Sequence, residues 1–231
     1  MKTIGLIGGT GWVSSLEYYR LINLEINRQL GGLNAARCLL YSFNYNDIAE
    51  LNQKNDHASI LKMLIDSANK LEVAGVDCIV LCANTLHFYA DDLQRQISKP
   101  IIHIATATAK AVMAQGLSKV GLLGTKMTME EGFYKNQLSS SKIETVVPDD
   151  RGRAFIHRTI LNELLKNIFL DKTKDQFKNI IEKFQEQGAQ GVILGCTEIP
   201  LLINQTDIEI PLFNTLEIHA KAIADFALDD Q

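Results

Sequence analysis

The segment 191-GVILGCTEIP-200 joins a short apolar run to a cysteine, two polar residues and an Ile-Pro pair. A run of this length, bounded by glycine and polar residues, describes a strand buried on both faces. The same construction occurs at 76-VDCIVLCANTLH-87, where Cys82 closes the run and Asn84 and Thr85 follow it. The correspondence extends further. IGLIGGT (4–10) pairs with VGLLGT (120–125), AGVDCIVLCANT (74–85) with QGAQGVILGCTE (187–198), and KPIIHI (99–104) with IPLFNT (210–215). The pairs keep their order at offsets near 115 residues, as an internal duplication would.

Between these runs lie helix-length segments. Strands are expected at 4–8, 38–43, 78–83, 101–104, 120–125, 143–148, 191–196 and 212–214. Helices are expected at 14–30, 58–74, 85–97, 105–115, 128–138, 152–169, 174–187 and 215–228. In 58–74, Ile60, Leu61, Leu64, Ile65, Ala68 and Leu71 share one stripe, as an amphipathic helix requires. Strand–helix alternation implies βαβ units and parallel sheets covered on both faces. The fold class is therefore α/β: two similar parallel-sheet lobes related by pseudo-two-fold symmetry, with an active site expected in the cleft between them. The boundaries expected are 1–98 for the first lobe and 99–211 for the second, with a C-terminal helical segment, 212–231, returning to the first.

Among 231 residues, 46% are hydrophobic and 22% charged, and the net charge is -4 with a pI near 5.7. That balance carries no basic footprint for nucleic acid, and Arg151 and Arg153 read as a solvated helix start. The opening MKTIGLIGGTGW is too short and glycine-broken for a signal peptide or membrane span, so a cytoplasmic location is expected. Four cysteines in a chain of this length do not form a disulfide framework. Cys38 and Cys78 fit as small core residues. Cys82-x4-His87 lacks the paired spacing of a zinc site, so no metal is expected. His57, His103, His157 and His219 are scattered and read as surface or hydrogen-bonded core residues, His103 at a strand end. The turn 8-GGTG-11 lacks the third glycine of the dinucleotide fingerprint and a Walker lysine, which disfavours a nucleotide.

Ligands of open parallel sheets bind beyond the carboxyl ends of the strands, where Cys82 and Cys196 both fall. One cysteine there is ordinarily core. Two at matched positions, each followed by polar residues, suit an acid/base pair acting on opposite faces of one carbon. A thiol has an unperturbed pKa of about 8.5, and expected helix starts after both cysteines would favour the thiolate. Asn84, Thr85 and Thr197 offer groups for an α-carboxylate. Glu198 is placed to receive an ammonium or to position Cys196, and Thr10 adds a hydroxyl at the glycine turn.

GLIGGTGWVSSLEYYRLIN, LCANTLH, GCTEIPLL and LEIHA together resemble the aspartate/glutamate racemase family, over nearly the whole chain, and most closely its aspartate and broad-specificity amino-acid branch. Cell-wall glutamate racemases carry histidine where Glu198 stands and an aspartate-serine-glycine start where this chain has GGTG. The resemblance implies a cofactor-independent amino-acid racemase, commonly a homodimer, with a small amino acid as substrate and no nucleic-acid or membrane partner. Its catalytic cysteines fall on Cys82 and Cys196. Its substrate contacts fall on Thr10, Asn52, Ala83, Asn84, Thr85 and Thr197. Some aspartate racemases clamp the distal carboxylate with an arginine in the loop after the second strand and a lysine near residue 166. The loop here, 43–53, has no arginine, and Lys166 or Leu165 occupies the lysine position. The alternatives are a cysteine-pair isomerase or decarboxylase of small diacids, and a non-catalytic amino-acid-binding relative.

Overall fold

The computed structural model describes residues 1–229; Asp230 and Gln231, the end of the expected C-terminal segment, lie outside the described residues. The chain divides into two compact units. Unit 1 comprises Met1–His103 and the chain from His219 onward, and unit 2 comprises Ile104–Ile218.

Unit 1 holds a parallel three-stranded sheet in the order β2-β1-β3, with β1 Ile4–Gly8, β2 Cys38–Ser42 and β3 Cys78–Leu81. An isolated parallel bridge joins Ile79 to Ile101 on the far side of β3. Helix α1 (Trp12–Leu30) buries Tyr18, Ile22 and Ile26 at fourfold spacing. α2 (Tyr45–Gln53) and α3 (His57–Val73) pack with Ile7, Ile79 and Leu81 in a second core. In α3 the expected stripe is the buried one: Ile60, Leu64, Ala68 and Leu71 are buried, and Leu61 and Ile65 pack against them. Each large apolar side chain so buried contributes about 1.5–3 kcal/mol.

Unit 2 holds a parallel four-stranded sheet, β5-β4-β6-β7, with β4 Lys119–Gly124, β5 Glu144–Val146, β6 Val192–Gly195 and β7 Leu212–Asn214. Side chains alternate across it. Leu123, Val192 and Leu194 enter a core with α8 (Asp150–Asn162) and α9 (Asp171–Glu186). Val120, Leu122, Ile193 and Phe213 enter another with α5 (Ile104–Ala114) and α7 (Gly132–Ser140). The remaining helices are α4 (Ala90–Gln94), α6 (Lys126–Glu130), α10 (Ile199–Leu202) and α11 (Thr215–Leu228). The strand order of unit 1, continued by the Ile101 bridge, repeats that of unit 2, where Phe213 lies beside Ile193 as Ile101 lies beside Ile79.

Several expectations are corrected. Residues 45–53, taken as loop, form α2, capped by the Asn44 side chain, which accepts from the Asn46 N–H. Residues 85–97 are a 3₁₀ segment, Asn84–Tyr89, followed by the five-residue α4. Residues 101–104 contribute one bridge, because α5 begins at Ile104. The helix expected over 152–169 ends at Asn162, where Glu163 leaves helical geometry; a 3₁₀ turn, Leu164–Lys166, then ends on left-handed Asn167. The second strand is not buried on both faces: β2 is an edge, with Leu39 and Leu40 exposed.

Candidate active site

Each unit presents its own set of polar residues at the carboxyl edge of its sheet. In unit 1 the edge begins with the turn from β1 into α1. Gly9 has φ +88, and a Cβ there would stand 2.2 Å from the Phe43 carbonyl oxygen, so both backbone conformation and space require glycine. The Ser15 hydroxyl accepts from the Gly9 N–H (2.9 Å) and donates to the Gly11 carbonyl (3.2 Å), which staples the turn. Packing thus accounts for the glycines. It does not account for Thr10, whose buried Oγ1 has no hydrogen-bond partner among the described residues. A buried hydroxyl left so is costly, and a ligand's polar group would satisfy it.

Cys82 lies one residue beyond β3 and extends its ladder, donating its N–H to the Ile7 carbonyl at 2.9 Å. Its side chain is fully buried, and burial pushes the thiol far up from its ordinary pKa. Ala83 is extended, Asn84 is buried, and Ala83 and Thr85 are half-buried. Asn52 is exposed in the last turn of α2.

In unit 2, Cys196 follows β6 as Cys82 follows β3. Gly195 before it is tightly held, since a Cβ there would sit 2.7 Å from the Leu123 carbonyl oxygen. Cys196 is 8% exposed and donates its S–H to Glu198 Oε2 at 3.0 Å. The Thr197 hydroxyl donates to the same oxygen at 2.9 Å. Burial pushes the Cys196 thiol well up, and the Glu198 charge and its hydrogen bond add to this. The backbone N–H groups of Glu198 and Thr197 act the other way, favouring the thiolate, and are outweighed.

Helix starts therefore do less than expected. The segment after Cys82 is 3₁₀, and α10 has only four residues, so neither supplies a long helix's dipole. Burial thus favours the neutral thiol at both sulfurs. The two half-sites also differ: the second residue after the cysteine is an amide in unit 1, Asn84, and a carboxylate in unit 2, Glu198. Lys166 is exposed in its 3₁₀ turn, and Leu164 beside it packs in one core with Cys196 and Ile199.

Two residues at these edges escaped the reading of the sequence. Ser15 carries no motif of its own. Thr125 was legible, since aligning VGLLGT with IGLIGGT sets it against Thr10; it caps α6, accepting from the Thr128 N–H.

Residues 7–223 match the family described as Asp/Glu/Hydantoin racemase. The chain belongs to that family. Membership makes it a racemase, an isomerase acting on amino acids. A candidate Asp/Glu racemase from Yersinia pestis is 44% identical, with a TM-score of 0.95 over 99% of this chain and 100% of that one. An aspartate racemase homologue from Pyrococcus horikoshii OT3 is 37% identical, with a TM-score of 0.85 over 99% and 100%. The broad specificity amino-acid racemase RacX of Bacillus subtilis (strain 168) is 29% identical over 171 residues, 72% of each chain. Among the described residues no helix is long and apolar enough to cross a membrane.

Proposed function

We propose that the chain inverts free amino acids by a two-base mechanism without a cofactor, with Cys82 and Cys196 as the bases. The observation that carries this reading is positional. Each cysteine directly follows the corresponding strand of a unit with the same strand order, and polar side chains stand within two residues after it. Inversion needs a base on one face of Cα and an acid on the other, so the reading requires both edges to act on one substrate. One sulfur takes the α-proton as thiolate while the other, as thiol, returns a proton to the opposite face; the roles exchange for the other enantiomer.

The neutral resting thiols must ionise on binding. A substrate ammonium brought beside a buried sulfur favours the thiolate, as any opposite charge does. Glu198 is the acceptor for the Cys196 proton, and the Thr197 and Glu198 N–H groups then stabilise the sulfur left behind. Thr10, Ala83, Asn84, Thr85 and Thr197 are the α-carboxylate contacts of this reading. Asn52 and Lys166 are its side-chain contacts.

With no arginine in 43–53 and a single exposed lysine near 166, a second carboxylate has no dedicated clamp. We therefore favour breadth, as RacX of Bacillus subtilis is named for, with aspartate and glutamate the first substrates to test. The test incubates single enantiomers in D₂O and follows Cα deuterium and optical rotation, with Cys82→Ser and Cys196→Ser as controls. Absence of exchange across an amino-acid panel removes the proposal. Wild-type turnover in either serine variant removes the two-base mechanism.

We further propose a homodimer and a reducing, cytoplasmic setting. Trp12, Leu16 and Tyr19, spaced as one stripe on α1, are 72%, 56% and 52% exposed. Leu40, on the neighbouring open-edge strand β2, points to the same sheet face, its Cδ1 3.1 Å from where a Gly8 Cβ would lie. Exposed apolar side chains on a helix and on an unpaired edge strand are the kind of surface that a second copy covers. Free thiols that must stay reduced suit the cytoplasm.

A further inference from the structure

Unit 1 contains three histidine rings packed against one another, and nothing in the chemistry above uses them. His87 and His103 have ring centroids 4.7 Å apart, and His87 and His219 5.5 Å apart, both edge to face. His87 and His219 are buried, and His103 is half-buried. Among the described residues, no three His, Cys, Asp or Glu side chains converge as metal ligands. The hydrogen bonds set the protonation of His219. A carbonyl only accepts, so His219 Nε2, 2.7 Å from the Ile102 oxygen, carries the hydrogen. Its Nδ1 is then an acceptor, and Tyr18 donates to it at 2.8 Å. His87 Nδ1 lies 3.0 Å from the Ala83 carbonyl, and the Ile102 carbonyl is a second acceptor for the same ring, so a neutral His87 has one N–H for two carbonyls.

Ala83 directly follows Cys82, and its carbonyl belongs to the peptide linking it to Asn84. That peptide is planar, so holding the oxygen fixes the plane, and with it the direction in which the chain leaves Ala83, the residue next to Cys82. The backbone there is a 3₁₀ turn, whose own hydrogen bonds have poor geometry. Ile102 is itself fixed at both ends: its N–H bonds the Ile79 carbonyl of β3 at 3.1 Å, and its carbonyl takes the His219 bond.

We propose that His87 is a positioning residue for the Cys82 segment, holding the Ala83–Asn84 peptide through Nδ1–H, and that Tyr18, His219 and the Ile102 carbonyl fix the wall against which His87 is packed. The inference rests on the reading of Cys82 as a base only for its catalytic consequence; its structural content stands apart.

The test separates the two. Intact wild-type, His87→Asn, His87→Gln and His87→Leu proteins are labelled with iodoacetamide, and each cysteine is followed by mass spectrometry. Asparagine can place an amide N–H near the position of Nδ1, whereas glutamine places it near Nε2. Loss of the anchor in the leucine and glutamine variants should speed Cys82 labelling about tenfold, the scale expected when a buried carbonyl loses its donor. Cys78 and Cys196 serve as internal controls and should not change. The asparagine variant should label like wild type. In turnover, the leucine and glutamine variants should lose kcat and raise KM, and asparagine should restore both.

Cys82 labelling unchanged in the leucine and glutamine variants overturns the proposal. So does an asparagine variant as reactive as glutamine. If leucine does not fold, seen as equal acceleration at all cysteines, the asparagine–glutamine comparison decides alone. Altered labelling with unaltered turnover would keep the anchor and remove Cys82 from the chemistry.

Discussion

Replacing Glu198 by glutamine removes the charge facing the Cys196 sulfur while keeping a side chain of the same size. Glu198 holds that thiol up, so in Glu198→Gln the substrate-free thiol should ionise at lower pH. Alkylation of Cys196, followed against pH, should shift to the acid side. If Glu198 takes the Cys196 proton, turnover should nonetheless fall by about 10²-fold or more. A more reactive but less active cysteine is the combination that separates a proton-accepting carboxylate from a merely structural one. The cysteine variants carry a further constraint. Enantiomers interconvert with an equilibrium constant of unity, so kcat/KM must be equal in both directions for every variant. Cys82→Ser and Cys196→Ser should each lose about 10²–10⁴-fold in it, by the same factor in both directions, which then differ only in how kcat and KM share the loss. At this scale the sequence was informative about residue type: a cysteine after an apolar run, with polar neighbours, twice. It was silent on ionisation, because burial and the Cys196–Glu198 hydrogen bond are facts of packing.

Elements succeed or fail in the sequence according to whether their pattern is periodic. The α3 stripe and the fully buried β1, β3 and β6 were legible because apolar spacing reports buried faces directly. α2 was missed because FNYNDIAELNQ buries only Ile48, and its start depends on one asparagine cap. The break after Asn162 was missed because the tertiary bond from Thr173 to Glu163 (2.7 Å) holds the chain where local pattern would continue the helix. A prediction belongs here. Gly195 ends β6 with no room for a methyl against the Leu123 carbonyl, and backbone cannot give as a side chain can. Gly195→Ala should cost about 1–3 kcal/mol. By differential scanning calorimetry this should appear as a fall of roughly 2–4 °C for each kcal/mol in a chain of this size.

For the whole molecule, the buried histidines make stability depend on pH. Burial lowers the pKa of His87 and His103, and it pushes His219 down to about 3. The rings also act on one another, since His103 and His219 lower His87 and His103 lowers His219, while the charge of Asp91 pulls His103 back up. In the unfolded chain these histidines take up protons near their ordinary pKa of about 6.5. Unfolded chain therefore binds more protons than folded chain below that point, and stability falls with falling pH. The contribution is fully present above about pH 6.5 and, for His219, is lost progressively down to about 3. Urea midpoints measured between pH 7 and 5 should drop, and the drop should shrink in His219→Gln, since one histidine no longer takes up a proton on unfolding. Assembly is the second property of this scale. Leu16→Glu with Leu40→Glu should yield a monomer by light scattering if the α1 and β2 faces are the contact, while each unit keeps its own core.

The chain leaves unit 1 after His103 and re-enters it at His219, so one unit is an uninterrupted stretch and the other is assembled from two distant pieces. During synthesis Ile104–Ile218 can complete its sheet and both its cores as soon as it clears the ribosome. Unit 1 is completed only by α11, which supplies Ala227 as the acceptor for Lys2 and His219 as the donor to Ile102. Assembly is therefore expected to run inside-out, and a chain truncated just ahead of His219 should carry a native second unit and an unfinished first one.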